Sequence, residues 1–329
     1  MVKMTRDEQF IALEKAARTM HDVHIINETA DSITIRFKND EGIGTVRRYA
    51  LFPGIFLDFN DIETSSFPRL KGEIIQGFKI NFCVDGRCEV KTSDGIYIFL
   101  EAEDISFSNL AVSGDFSFPY GRYHGIELHI YDSAFKQAPV PLFDIFSINL
   151  MDICKKYCPA SKSFIARTGE EMKSVFLSMS AIIPECKSDY LRLKVIELLF
   201  LLMHIEKPDE KERRYFFTLG QIKIAKQVMN IISADLSKHY SVEKLAEQFS
   251  ISPSSLNKYF YGVFGESIPS FLRGRRMNKA AEYLEKGKHQ ILDIALMMGY
   301  ENASKFAAVF KAAKGESPLE YRRRHINST

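Results

Sequence analysis

No stretch of the 329-residue sequence reaches the roughly 18 uncharged apolar residues that a bilayer-spanning helix needs, so no membrane-spanning helix is expected. Residues 1–10 carry Lys3, Arg6, Asp7 and Glu8, unlike a secretory signal with its apolar core, and a cytoplasmic protein is expected. Cysteine is scarce. The five present, Cys83, Cys88, Cys154, Cys158 and Cys186, are expected to be thiols in such a compartment rather than a disulfide framework. Also missing is the close histidine pair that a metal-binding barrel would need. His124 and His129 are an odd number apart, so a regular strand points them to opposite faces. Cys154 and Cys158 fall four apart on an expected helix, but no third or fourth ligand can be placed beside them. No metal and no cofactor is expected.

Net charge is small, +2 over the chain, and hides an asymmetry. From residue 221 onward there are 17 Lys and Arg against 10 Asp and Glu, while the remainder carries 27 against 32. A basic C-terminal part suits a polyanion, and an acidic partner does not.

The length allows two domains, each with its own core. Residues 5–20 carry Phe10, Leu13, Ala17 and Met20 on one helical face, which predicts an opening amphipathic helix. From 33 to 131 the apolar period is two, in runs such as 33–37, 77–84, 87–91, 96–100 and 125–131; this predicts an antiparallel sheet or small jelly roll. Asp85-Gly86 is a hairpin signal. A two-residue loop there would pair Val84 with Arg87 and set Cys83 opposite Cys88, either as a redox pair or as two small buried residues. Arg122, His124, Ile126, Leu128 and Ile130 make the expected inward row. Arg122 and His124 would then either meet an anionic effector at the barrel mouth or be solvated at a strand end. Helices return after Phe143, with 170–183 and 189–205 as a hairpin. Leu191, Val195, Leu198, Leu199 and Leu202 form its inner stripe, which would pack on the sheet, form a dimer seam, or both. Residues 206–214 are charged at eight of nine positions and read as a linker.

One pattern then occurs twice. Val242, Leu245, Ala246 and Phe249 fall at i, i+3, i+4 and i+7, and Ile291, Ile294, Ala295 and Met298 repeat them 49 positions later. Ser241 and Ser252 suit N-caps, Pro253 the first helical position and Gly265 a helix end. Leu256 matches Phe306, Phe260 matches Phe310, and the tripeptide at 265–267 recurs at 315–317, now offset by 50. Each copy is a helix-turn-helix. The outward side of the first recognition helix shows Ser254, Ser255, Asn257, Lys258 and Tyr261; that of the second, capped by Asn302, shows Ser304, Lys305, Ala307, Ala308 and Lys311. A helix over 268–286, roughly 28 Å long at about 1.5 Å per residue, joins them. Arg273, Arg275, Arg276 and Lys279 on it are candidate phosphate contacts.

These motifs, with Arg276-Met277, Ala280, Leu284, Gly299-Tyr300, Gly315 and Ser317-Pro318, resemble the DNA-binding domain of the AraC/XylS family of bacterial transcription regulators over the last third of the chain. The resemblance implies an α+β protein with a cupin-like antiparallel β-barrel (about 30–135), a helical part (about 143–205), a linker (206–220) and an all-α DNA-binding domain with two helix-turn-helix units (221–329). It implies a homodimeric activator whose partners are double-stranded promoter DNA, RNA polymerase and a small-molecule effector bound by residues 1–205. Around residues 82–90 the chain resembles the siderophore-responsive branch. The outward residues of both recognition helices take the family's base-reading and phosphate-holding positions. Asn257 suits adenine and Lys258 guanine, whereas Ala307 and Ala308 can touch little beyond a thymine methyl, so specificity is expected mainly in the first unit. Some alkyl-transfer DNA repair proteins share such a domain, but none of the five cysteines sits in their signature context. A regulator with no effector is the remaining alternative.

Overall fold

Alternation with a period of two carries the first part of the chain into ten strands, seen in a computed structural model that describes residues 18, 22–66, 76–91, 97–110, 116–136, 140–159, 163–180, 187–207 and 217–326. Apart from Arg18, the expected opening helix over 5–20 lies outside the described residues. The chain divides into two units, Met1–Phe216 and Phe217–Thr329.

In the first unit the strands are β1 (Val23–Glu28), β2 (Ser32–Asn39), β3 (Gly42–Phe52), β4 (Ile55–Glu63), β5 (Gly77–Lys91), β6 (Tyr97–Glu101), β7 (Asp104–Asn109), β8 (Phe116–Ser117), β9 (Tyr123–Tyr131) and β10 (Phe164–Arg167). They make one sheet in the order β1-β2-β3-β4-β9-β5-β7-β10, with β6 and β8 on the far half of β5. Every pairing is antiparallel.

Both faces of the sheet are covered, which explains why its runs are more apolar than strict alternation requires. One face presents Leu51, Ile55, Leu57, Phe78, Ile80, Phe82, Ile126, Leu128 and Ile130 to the helices that follow. These are α1 (Asp132–Lys136), α2 (Pro141–Ile145), α3 (Leu150–Tyr157), α4 (Glu170–Ser180) and α5 (Lys187–His204). The Tyr157 ring stacks on Phe107 at 4.1 Å between centroids, and Phe176 of α4 stacks on Phe82 at 4.7 Å. All five residues of the expected α5 stripe, Leu191 to Leu202, are buried in this layer. The last turn of α5 leaves carbonyls without helical partners; Lys156 answers them, donating to Leu202 O at 2.9 Å and Met203 O at 3.2 Å. The opposite face of the sheet curls over a second cluster of Ile33, Ile35, Phe37, Val46, Phe56, Ile62, Cys83, Cys88 and Tyr123.

One expectation fails here and another holds only in part. β5 runs unbroken from Gly77 to Lys91, so no hairpin forms at Asp85-Gly86. Cys83 pairs with Gly125 of β9 and Asp85 with His124, with a bulge between them; Cys88 pairs with Leu100 of β6. Gly86 has φ +85°, and a Cβ there would lie 2.3 Å from Arg122 O. The glycine serves a bulge pressed against β9, for which the local requirement is the same left-handed conformation as a tight turn. The expected inward row holds for Ile126, Leu128 and Ile130, which are buried against the helices, but not for Arg122 and His124, and the odd-numbered residues of β9 are covered as well, facing the curled interior.

The second unit is all helical: α6 (Leu219–Ala234), α7 (Val242–Gln248), α8 (Pro253–Phe264), α9 (Ile268–Lys286), α10 (Ile291–Met297), α11 (Ala303–Lys314) and α12 (Pro318–Ile326). α6 begins at Leu219 because Thr218 and Gln221 form a reciprocal capping box there.

Candidate nucleic-acid interface and ligand cavity

The two helix-turn-helix copies agree down to backbone hydrogen bonds. In the first turn Phe249 N and Ile251 N donate to Ala246 O, and Ser250 N to Glu247 O; in the second, Met298 N and Tyr300 N donate to Ala295 O, and Gly299 N to Leu296 O. Each recognition helix is capped by a side chain that accepts from its first turn. Ser252 Oγ takes Ser255 N at 3.1 Å before α8, and Asn302 Oδ1 takes Lys305 N at 2.8 Å before α11. Each ends on a left-handed glycine, Gly265 at φ +69° and Gly315 at φ +82°, which needs no Cβ clearance. Leu256 and Phe260 are buried at one copy and Phe306 and Phe310 at the other.

Rotating away from those core positions, α8 exposes Ser254, Asn257, Lys258 and Tyr261, with Ser255 half-buried; α11 exposes Ser304, Lys305, Ala308 and Lys311, with Ala307 half-buried. Ser254, Asn257, Lys258 and Tyr261 fall at i, i+3, i+4 and i+7 on one face, and Ser304, Ala307, Ala308 and Lys311 repeat that spacing. The four basic residues of α9 divide. Arg273 and Arg275 are exposed, the latter with its guanidinium 5.2 Å from the Phe271 ring centre. Lys279 pairs with Glu282 at 2.7 Å. Arg276 faces inward, donating from Nε to Leu236 O at 2.7 Å and from Nη2 to Lys238 O at 2.9 Å. The expectation of a phosphate contact is therefore corrected for Arg276, whose donors meet the protein's own carbonyls.

In the sheet unit, the curled face encloses a cavity of about 170 Å³ whose lining includes Ile35, Val46, Leu110, Phe116, Phe118 and Cys88 on its apolar side and Arg48, Asp58, Lys79, Glu127 and His129 on its polar side. Arg48 grips Asp58 as a fork, with Nε and Nη2 at 2.7 and 2.6 Å from the two carboxylate oxygens. His129 Nε2 stands 3.2 Å from both Asp58 Oδ2 and Glu127 Oε2. The Lys79 ammonium lies 3.5 Å from Glu127 and 4.1 Å from the centre of the Phe116 ring. Burial by itself would raise the Asp58 carboxyl, but Arg48 and then His129 overturn that and hold it far below the usual carboxylate range. Glu127 is likewise held down, by Lys79 and His129 against its burial. Two fixed cations balance two carboxylates in this interior.

Sequence reasoning missed this cluster. Lys79, Glu127 and His129 sit in runs that read as alternating solvent-facing positions, and only a second covered face makes them internal. Arg122 and His124 are not part of it. Arg122 is exposed and pairs with Asp85 at 2.6 Å, and His124 pairs with Asp61 at 2.6 Å on the outer side. Cys83 and Cys88 are buried free thiols, both pushed up by burial first of all, and they lack the cross-strand geometry expected of a redox pair. Cys154 and Cys158 are half-buried, their thiols pushed up by burial to about 12. Among the described residues no group of three His, Cys, Asp or Glu could hold a metal ion, and no helix is long and apolar enough to cross a membrane.

A helix-turn-helix domain family matches residues 245–324. The HTH-type transcriptional activator RhaR of Pectobacterium atrosepticum is 31% identical over 176 residues, or 51% of this chain and 60% of that protein. This chain thus spans less than two thirds of that relative's length. Among solved structures, the C-terminal domain of AraT, a response regulator from Geobacillus stearothermophilus, is 33% identical with a TM-score of 0.30, covering 31% of this chain and 84% of that one. Fatty-acid-bound ToxT from Vibrio cholerae is 13% identical with a TM-score of 0.29, over 82% of this chain and 94% of that one. With the motif written twice in sequence, repeated in backbone hydrogen bonding and matched over residues 245–324, the C-terminal unit carries a helix-turn-helix domain of the AraC type.

Proposed function

We propose that the chain is a cytoplasmic transcription activator that holds promoter DNA through Phe217–Thr329 and is controlled by a small molecule in the cavity of the sheet unit. The observation that carries the first half is the pair of matched outward faces on α8 and α11. A helix face of this kind fits a major groove, and two of them joined by α9 suit successive grooves, about 34 Å apart on one side of the duplex. Ser254, Asn257 and Lys258 would read bases. Ser304, Lys305, Lys311, Arg273, Arg275 and Lys279 would hold phosphates, with Lys279 giving up Glu282 to do so. Relatives named as transcriptional activators support the direction of control, and with it an encounter with RNA polymerase.

The effector half rests on the cavity. Its charge-balanced lining favours a small ligand of no net charge, since an added ion would stand unpaired in a low-dielectric interior. Homodimerisation is supported by Leu193 and Phe200, seven residues apart on α5 and still exposed at 65% and 39%. The repair-enzyme alternative is disfavoured because buried, raised thiols are poor nucleophiles; Cys186 lies outside the described residues.

The test is affinity of the full chain for DNA selected from a random pool, at 50 and 200 mM salt, with and without candidate ligands. If about six phosphates are contacted, affinity should fall by roughly 10³ across that range. A flat salt profile would remove the DNA-binding half. Ligands that bind the chain yet leave its DNA affinity unchanged would remove the regulatory half, because coupling requires differential affinity.

A further inference from the structure

The two helix-turn-helix copies share α9, which packs into the core of each, and a second connection adds to the constraint on how far one copy turns relative to the other. The loop between α6 and α7, which leads into the first copy, lies against the turn of the second. Leu236 packs on the second copy's core of Met277, Ile294, Met298 and Phe306. Gly299, in that turn at φ +75°, comes so close that a Cβ on it would lie 2.4 Å from Ser237 O and 2.8 Å from Arg276 Nη2. Arg276 stands between the two. It donates to Leu236 O and Lys238 O of the loop, at 2.7 and 2.9 Å, while its guanidinium lies 5.7 Å from the centre of the Tyr300 ring, beside the turn.

We propose that Arg276 is the positioning residue that sets the spacing and phase at which the two recognition helices meet DNA, by tying the lead-in loop of the first copy to the turn of the second. The inference rests on the two-groove reading above. The planar fork of the guanidinium matches both carbonyls at once and still offers a face to Tyr300; a lysine ammonium, a point charge on a flexible stem, cannot hold all three. Loss of the fork leaves α9 and the Leu236 contact as the connection, so the copies remain folded but their relative angle loosens. Inserting or removing one base pair shifts one half-site by about 3.4 Å and about 34°. A rigid reader rejects that shift, and a loosened one accommodates it.

The experiment uses the full chain and a bipartite site obtained by selection from random DNA, with the interval between its halves lengthened or shortened by one base pair. For the unaltered protein, Kd should rise at least tenfold at either altered interval. In Arg276→Gln the rise should shrink to threefold or less, and Arg276→Lys should fall between the two. Paired spin labels on α8 and α11 should show one narrow distance in the unaltered protein and a broadened distribution in both variants. Should Arg276→Gln not fold, Arg276→Lys carries the same comparison. The inference is overturned if the variants lose affinity by one common factor at every interval, as loss of a phosphate contact at Arg273→Ala would, or if the label distances stay narrow. Selection that returns a single undivided motif would overturn the two-groove reading as well, which separates the two failures.

Discussion

Ser250 and Gly299 occupy the same point in the two copies of one turn, both left-handed, at φ +52° and φ +75°. A serine in that conformation sets its Cβ against the following carbonyl at about 1–2 kcal/mol, and glycine avoids this while giving up somewhat more chain entropy. Ser250→Gly should therefore stabilise the helical unit by about 0.5–1 kcal/mol, and Gly299→Ala should destabilise it by more than about 2 kcal/mol, since its Cβ also meets Ser237 O. Thermal denaturation of the two variants checks both signs. Stabilisation by Gly299→Ala would contradict the packing described for that turn.

Asn257 and Lys258 on α8 correspond to Ala307 and Ala308 on α11. The first pair offers hydrogen-bonding groups and the second offers methyls. Asn257→Ala and Lys258→Ala should each cost about 1–3 kcal/mol at the selected site and relax base preference there. Ser304→Ala and Lys305→Ala should weaken all sequences alike. Site selection with the four variants would reveal the reverse assignment if the second copy were the reader.

The Arg48–Asp58 fork is buried, so removal of one partner strands the other charge. Asp58→Ala should destabilise the sheet unit by about 3–5 kcal/mol; an Arg48→Met, Asp58→Leu double variant should cost much less, because no lone charge remains. Urea titration followed by a probe in the sheet unit distinguishes them.

Acid should act through the same cluster. Unfolded Asp and Glu titrate near pH 3.9 and 4.3, and Asp58 and Glu127 are both held lower in the folded chain. Between the folded and unfolded values the unfolded state binds more protons, so the stabilisation is complete above about pH 5 and drains as pH falls below about 4. A urea midpoint for the sheet unit that stayed flat down to pH 3 would contradict this.

The helical unit was legible because its signals are local. Ser252, Asn302, Gly265 and Gly315 act on the turn in which they sit, and the repeat states its own register. The sheet unit was legible in class but not in facing. A period of two tells which residues share a side, never which side is covered, and here both are. Hence Glu127 and His129 read as outward until β8 and the far half of β5 are seen to fold over them. Asp85-Gly86 misled for a related reason. Its left-handed glycine is the same in a hairpin and in a bulge, and only the passage of β9 against Gly86 decides between them. Arg276 sits in the family motif, but its partners Leu236 and Lys238 are some forty residues away, and no local pattern points to them.

α9 contributes to two cores at once. Phe271 meets Phe260 and Phe264 of the first copy at 5.4 and 5.1 Å between ring centres, and Met277, Ala280, Ala281 and Leu284 fill the second copy's cluster. Because one continuous helix completes both hydrophobic interiors, neither repeat can melt while the other keeps its full complement of contacts. The duplicated domain should behave calorimetrically as one cooperative unit, with a single transition whose van't Hoff and calorimetric enthalpies agree, although its sequence is written as two.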